Sequence, residues 1–331
     1  MSQYVSAEKL SSLLKWPKLI QAIKDIFCAT IECPPRLHYS IANASDSTAP
    51  PAGTMLIMPA WIPGKFIGVK QVNVFPGNSQ LGLPGLSSQY LLSDGLTGMH
   101  LVQLDGNELT GRRTAAASAL AASFLAREDA SSLLILGAGK IAEKLVHAYL
   151  AIRPIRRIRI WNHRLASGER LTLKLQEQLK DRELDIACVP EESLAQAVGE
   201  ADIVSAATLS NKPLIQGNWL TEGTHVDLVG AFTPAMRETD TDCIRLAEVF
   251  VDTRTGALSE PGDLLTPMKE GVFSANDVHA DLFDLCRGTH RGRSQLENAD
   301  QAITLFKSVG DSREDLAAAI LAYNSLQNTA E

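Results

Sequence analysis

Two groups of residues in this chain have the types and spacing to do chemistry. The first is Gly137, Gly139 and Ala142 in "LLILGAGKIAEKL", residues 133–145, a G-x-G-x-x-A string. Short glycine patterns are common in turns, and a plain strand-to-helix turn is the alternative reading. Here the string follows an apolar run and opens an amphipathic one, the context in which such a turn holds a dinucleotide. Gly137 allows the tight turn, Gly139 lets the backbone approach a pyrophosphate, and Ala142 is small enough for helix to pack on strand. The helix N-terminus then offers unpaired N–H groups to the phosphates.

The second group is cationic: Arg36 in "CPPRLHYS", Lys70 in "FIGVKQVNVFPGN" and Arg113 in "LTGRRTAAASALAA". Lys70 follows an apolar stretch and precedes alternating Val72 and Val74, so the pattern points it inward from a strand. A buried ammonium is costly unless paired, and a substrate carboxylate is a suitable partner. Arg113 is expected just before an alanine-rich helix, where a guanidinium and a helix N-terminus both address an anion. Long cations are more often solvated, and pattern alone leaves that reading open for all three.

The end of the second strand of the nucleotide fold selects the cofactor. NAD sites usually place Asp or Glu there to bond the ribose 2′-hydroxyl. This chain reads Trp161-Asn162-His163-Arg164, with no carboxylate until Glu169. A carboxylate repels a 2′-phosphate, whereas Asn162 and Arg164 can bond it. NADPH is therefore expected, with NADH the weaker alternative; the bland reading makes Arg164 a solvated residue at a helix start.

These groups need elements to position them. Residues 2–30 read as a helix, with Leu10, Leu13, Leu14, Leu19, Ile20, Ile23, Ile26 and Phe27 recurring at intervals of three and four. "STAPPAG", residues 47–53, reads as a loop. Short β-type runs between 52 and 105 read as an antiparallel sheet region, "DGLTGMHLVQLDG" as a hairpin within it. Residues 112–129 are a helix by propensity. From 131 onward strand and helix alternate, the pattern of a parallel sheet with crossovers. The tail, residues 303–327, reads as a strand-like entry and a long amphipathic helix.

The bulk numbers bound the function. With 331 residues, 45% of them hydrophobic, and a net charge of −7, the chain has a soluble composition and room for about two domains. The acidic balance argues against nucleic acid, which needs clustered Lys and Arg. No run is apolar and long enough for a membrane span, and the N-terminus has no secretory pattern. Five scattered cysteines read as reduced thiols of a cytoplasmic protein, and the seven histidines show no ligand spacing, so no metal is expected.

A resemblance goes further. "GVKQVNVFPGN", "GLPG", "LTGRRTAAASALAA", "LGAGKIA", "GTHVDLVGAFTPAMRE" and "FKSVGDSREDLAAA" occur in order from about residue 52 to 323, and together resemble the ornithine cyclodeaminase/mu-crystallin family. The resemblance implies an α/β fold: a Rossmann-type doubly wound parallel sheet, residues 116–302, inserted into an α+β substrate and dimerisation domain. That outer domain would comprise 1–115 and 303–331, completed by the C-terminal helix. It also implies a homodimer, and a substrate carboxylate held by Arg36, Lys70 and Arg113, the R-T-A-A string marking Arg113 rather than Arg112. Lys70 would be the proton donor or position a water that is. Thr114, Gly137, Ala138, Gly139, Lys140, Ile141, Asn162, His163, Arg164, Thr208 and Val229 are the implied cofactor contacts. Thr208 falls where such folds meet the nicotinamide ribose, though it reads equally as a turn cap.

Within the family, "VDLVGAFTP" separates two chemistries. Cyclodeaminases carry an Asp two residues after the glycine; Phe232 stands there in this chain and cannot handle a proton. Asp227 is close in sequence, with a structural hydrogen bond as its alternative role. The missing acid and the Asn162–Arg164 stretch both favour an NADPH-consuming reductase of a cyclic ketimine carboxylate. Pyrroline-2-carboxylate giving L-proline is the expected reaction, with piperideine-2-carboxylate giving L-pipecolate, and Phe232 a wall against the ring. The alternatives are ornithine cyclisation through an unrecognised acid, keto-acid amination as in alanine dehydrogenases, and a non-catalytic ligand-binding protein like mu-crystallin.

Overall fold

The structure is a computed structural model that describes residues 3–43 and 52–328. The loop expected at 47–53 lies, except for its last two residues, outside them. The chain divides into two compact units, Met1–Arg113 with Ser312–Glu331, and Thr114–Asp311.

The first unit is built on six strands: β1 (Gln3–Val5), β2 (Leu37–Ile41), β3 (Gly53–Ile62), β4 (Phe66–Val74), β5 (Leu86–Asp94) and β6 (His100–Asp105), in the order β1-β6-β5-β4-β3-β2. Pairing from β2 to β6 is antiparallel, with β5 and β6 forming the hairpin, but β1 joins β6 in parallel. The single helix expected over 2–30 is instead β1, helix α1 (Ala7–Leu13) and helix α2 (Trp16–Cys28). Pro17 explains the break. It sits in the first turn of α2, where its missing N–H costs nothing, whereas one continuous helix would drive its ring into the carbonyl four residues back. The apolar spacing runs through the break in nearly constant phase, which hides it from periodicity.

Helix α3 (Gly106–Leu125) starts six residues before the expected 112. Asp105 accepts from the Glu108 amide at 2.7 Å at its start. Arg113 therefore lies about two turns inside the helix, and the expected role of a helix N-terminus beside it is withdrawn. The C-terminal helix, Ser312–Gln327, packs on β3, β4 and β5 and also on α1 and α2. Enclosed on opposite sides, it buries Ala317, Ala318, Ala319 and Ala322 together with Ser312, Glu314 and Asp315, and is not the one-faced amphipathic helix expected.

The second unit carries eight parallel strands in a Rossmann-type sheet: β7 (Ser132–Leu136), β8 (Arg157–Trp161), β9 (Asp185–Val189), β10 (Ile203–Ala206), β11 (His225–Leu228), β12 (Glu248–Val251), β13 (Val278–Asp281) and β14 (Thr304–Lys307). Their order is β13-β12-β14-β11-β10-β7-β8-β9. Every residue of β7, β10, β11 and β14 is buried, as strands of a parallel sheet covered on both faces require. Helix α4 (Lys140–Tyr149) links β7 to β8, and helix α5 (Leu165–Gln178) links β8 to β9. The chain then returns to lay β10 on the other side of β7, so the topology switches between β7 and β10. Strand β14 fills the slot between β11 and β12. Residues 303–311 thus belong with the parallel sheet rather than with the outer domain, and the return to the first unit begins at Ser312.

Candidate active site

In the first unit, β4 presents Gly68, Lys70 and Val72 to one side, all buried. Lys70 is 2% exposed, and its Nζ lies 2.7 Å from Asp315 Oδ2 on the C-terminal helix. Arg113 reaches the same helix from α3: its Nε donates to Asp315 Oδ1 at 2.9 Å and an Nη donates to Glu314 Oε2 at 2.8 Å. Asp315 is thus shared by two cations. Burial pulls the Lys70 ammonium down to about 8; Asp315 opposes that, while the charges of Arg113 and Arg36 add to it. For Arg113 burial works against the charge too, but Asp315 and Glu314 outweigh it and hold the guanidinium charged. An amine with a pKa near working pH is suited to proton transfer, and two nearby guanidinium groups are suited to a carboxylate. Arg112, one residue away, turns elsewhere: it pairs with Glu108 at 2.8 Å, donates to Leu14 O at 2.8 Å and covers the Trp16 ring.

Tyr90 stands opposite Lys70 in the β4–β5 ladder. Its hydroxyl is buried without a hydrogen-bond partner among the described residues. Any Cβ on Gly68 would stand 1.8 Å from that hydroxyl, so glycine at 68 is what admits the tyrosine. Burial, then the negative charge of Asp315, keeps the phenol protonated.

In the second unit, a cleft of about 400 Å³ opens at the topological switch. The β7–α4 turn, Gly137 to Gly139, forms one wall; Trp161, Asn162 and His163 at the end of β8 and Ala207 to Ser210 after β10 form others. Open parallel sheets bind ligands at this place. Gly137 has φ +115°, and a Cβ there would approach Ala207 O to 2.6 Å, so no other residue fits. At Gly139, by contrast, a Cβ would meet nothing within 4 Å. Glycine is not needed there by the protein; it leaves space beside the backbone. Gly139 is also the N-cap of α4, and no side chain caps that helix. The first amides of α4 and the open space above Gly139 together fit a pyrophosphate. Among the described residues no carboxylate lines the cleft.

A sequence model of the ornithine cyclodeaminase/mu-crystallin family matches residues 8–330. The chain belongs to that family. An uncharacterized protein of Schizosaccharomyces pombe is 61% identical over 321 residues, 97% of this chain and 96% of its own. The Delta(1)-pyrroline-2-carboxylate reductase of Paracoccus denitrificans is 42% identical over 272 residues, covering 82% of this chain and 83% of that one. Among solved structures, Thermococcus litoralis Delta(1)-pyrroline-2-carboxylate reductase in complex with NADH and L-proline matches with a TM-score of 0.88. It is 31% identical and covers 99% of this chain and 98% of that one.

The expected site residues of this family member sort as follows. Lys70 and Arg113 meet at Asp315, and Arg36, beside β2, is near enough for its charge to act on Lys70. Gly137, Ala138, Gly139, Asn162, His163 and Thr208 line one cleft. Lys140 and Ile141 form the first turn of α4, and Arg164 is the exposed N-cap of α5. Thr114 lies inside α3, Val229 donates its amide to Ala206 O at 2.9 Å, and Phe232 is 49% exposed beyond β11. None of these six is among the residues lining the cleft. Asp227 accepts from Ser118, Tyr149 and Ser205 at 3.1, 2.8 and 2.6 Å and is fully buried, a structural hydrogen-bond centre. Sequence reasoning assigned no role to Glu314, Asp315 or Glu238. The signal for the first two was present: adjacent acids open an alanine-rich helix that has to be enclosed.

Proposed function

We propose that this chain reduces pyrroline-2-carboxylate to L-proline with NADPH, and piperideine-2-carboxylate to L-pipecolate. The reaction class is nicotinamide-dependent reduction of an imine. The single observation that carries it is the buried Lys70–Asp315–Arg113 cluster, in a chain 42% identical to a reductase of that name. A bound reduced nicotinamide supplies the hydride. Gly137, Gly139 and the first amides of α4 would hold its pyrophosphate, and Thr208 lines the same cleft. Arg36 and Arg113 orient the carboxylate of the imine, which fixes which carbon is presented. Lys70, with its ammonium brought down to about 8, gives a proton to the imine nitrogen or holds a water that does. One hydride to carbon and one proton to nitrogen convert C=N to CH–NH and balance the reaction.

NADPH over NADH rests on the end of β8. The Asn162 side-chain amide donates to Arg164 O at 3.0 Å, which tightens the turn into α5, and Arg164 is exposed at the start of that helix. A 2′-phosphate meets no carboxylate there. Ornithine cyclisation lacks its acid, because Phe232 holds that position and Asp227 is consumed by three hydroxyl groups. Incubation with pyrroline-2-carboxylate and each reduced dinucleotide, with L-proline measured by chromatography, tests the reading; no L-proline from either would refute it. The proposed homodimer would use the first unit, where β2 leaves Leu37 and Tyr39 exposed at the sheet edge. Light scattering that gives a monomer at assay concentration would remove that part. Among the described residues no helix is long and apolar enough to cross a membrane.

A further inference from the structure

We infer that Glu238 is a positioning residue for the dinucleotide, tying the segment after β10 to the segment after β11 and so holding one wall of the cleft. The side chain is fully buried. Its Oε1 accepts from both the amide and the hydroxyl of Thr208, each at 2.8 Å. Its Oε2 accepts from the Gly230 amide at 2.8 Å and the Ala231 amide at 3.3 Å. The two segments touch through their backbones: a Cβ on Gly230 would stand 1.9 Å from Thr208 O and 2.3 Å from Thr208 N. Carboxylate and glycine therefore act as one clasp, and Thr208, Leu209 and Ser210 line the cleft as a result.

The clasp is anchored from behind. The Glu238 amide donates to Asp263 Oδ1 at 2.7 Å, and Glu238 O accepts from the amides of Leu214 and Ile215. Lys307 of β14 lies 3.3 Å from Asp263 and donates to Leu228 O at 3.1 Å, at the end of β11. Two acids thus face one lysine. Burial pushes Glu238 up to about 7, opposed by the charge of Lys307 and reinforced by Asp263. A carboxylate kept in so costly a place, with each oxygen taking two donors, is worth more to the cleft than an apolar residue of the same size.

The inference rests on the reading of this cleft as the dinucleotide site, and its primary readout, dinucleotide affinity, needs no substrate. Glu238→Gln, Thr208→Val and the double variant are titrated with NADPH and with NADH by nicotinamide fluorescence, alongside thermal melts and kcat at saturating cofactor. Glutamine puts an NH₂ against N–H donors, so Glu238→Gln is expected to weaken both dinucleotides by about tenfold or more. The kcat at saturation should stay within about threefold of the parent, because the loss lies in binding. The double variant should bind no worse than Glu238→Gln, since the Thr208 hydroxyl acts through that carboxylate. Thr208→Ser, which keeps the hydroxyl, should restore the affinity that Thr208→Val loses. Parental affinity in folded Glu238→Gln, a fall in kcat without a change in affinity, or independent losses in the double variant would each overturn the inference. If Glu238→Gln does not fold, Glu238→Asp, which keeps the charge but shortens the reach to Thr208, decides it by the same readout. A parent protein that binds no dinucleotide overturns the cleft reading and the inference together. One that binds dinucleotide but reduces no ketimine overturns the proposed reaction alone.

Discussion

Replacing Asp315 with asparagine is the most informative single change. The Lys70 ammonium lies 2.7 Å from this carboxylate, a gross attraction of about 6 kcal/mol at an effective dielectric constant of about 20. Protein relaxation and water entry return most of that, leaving about 1–2 pH units of influence on Lys70. Burial already draws Lys70 down to about 8, and Asp315 is the group that holds it up. The sign follows. Asp315→Asn lowers the Lys70 pKa, so the proton donor is lost at lower pH. The alkaline limb of kcat/KM should move from near 8 toward neutrality by about 1–2 pH units. The substrate's own ionisation is common to both proteins and cancels in the ratio of their profiles. Stability should fall by about 3–5 kcal/mol in urea unfolding, since Arg113 and Lys70 remain buried with Glu314 as the carboxylate left to the cluster. An alkaline limb that stays in place in folded Asp315→Asn would refute Lys70 as the titrating donor.

Three further outcomes are expected. Gly139→Ala adds a methyl group to open space at an ordinary backbone angle, so thermal stability should stay within about 0.5 kcal/mol while dinucleotide affinity drops about tenfold; unchanged affinity would remove the pyrophosphate from this turn. Arg164→Ala should weaken NADPH far more than NADH by fluorescence titration, and an equal effect on both would end the 2′-phosphate assignment. Burial raises Asp227 to about 6 against the pull of its three hydroxyl partners, so the folded state holds its proton more tightly than the unfolded chain. Its stabilising contribution is present below the unfolded value and is lost as pH rises through 6. The stability advantage of the parent over Asp227→Asn should therefore shrink by about 2 kcal/mol between pH 4 and 7, and a pH-independent difference would contradict it.

The parallel sheet and its glycine turn were legible because their signals are local. Continuous apolar strands, glycine at a forced φ and a helix opening right after it all lie within a few residues of one another. Lys70 was legible for a similar reason, as a charge where strand alternation demanded burial. What escaped was long-range. Asp315 lies 245 positions from Lys70 and 202 from Arg113, and nothing in either neighbourhood names the partner. Glu238 reads as an ordinary loop acid until its four donors are seen from two other segments. The assignment of residues 303–311 failed because a four-residue strand can enter a sheet anywhere, and only the vacancy between β11 and β12 decides where. The α1–α2 break was written in Pro17, but a heptad-like apolar pattern running across it masked the stop.

Two reactions of the same protein separate a ketimine reductase from a cyclodeaminase. Pyrroline-2-carboxylate with NADPH is followed by loss of reduced-nicotinamide absorbance, beside L-ornithine with NAD followed by ammonia release. Rapid NADPH oxidation with inert ornithine is the predicted result, and it would account for Phe232 where a cyclodeaminase carries its acid. Ammonia and proline from ornithine would contradict the account, because an acid other than Asp227 would then have to complete the site.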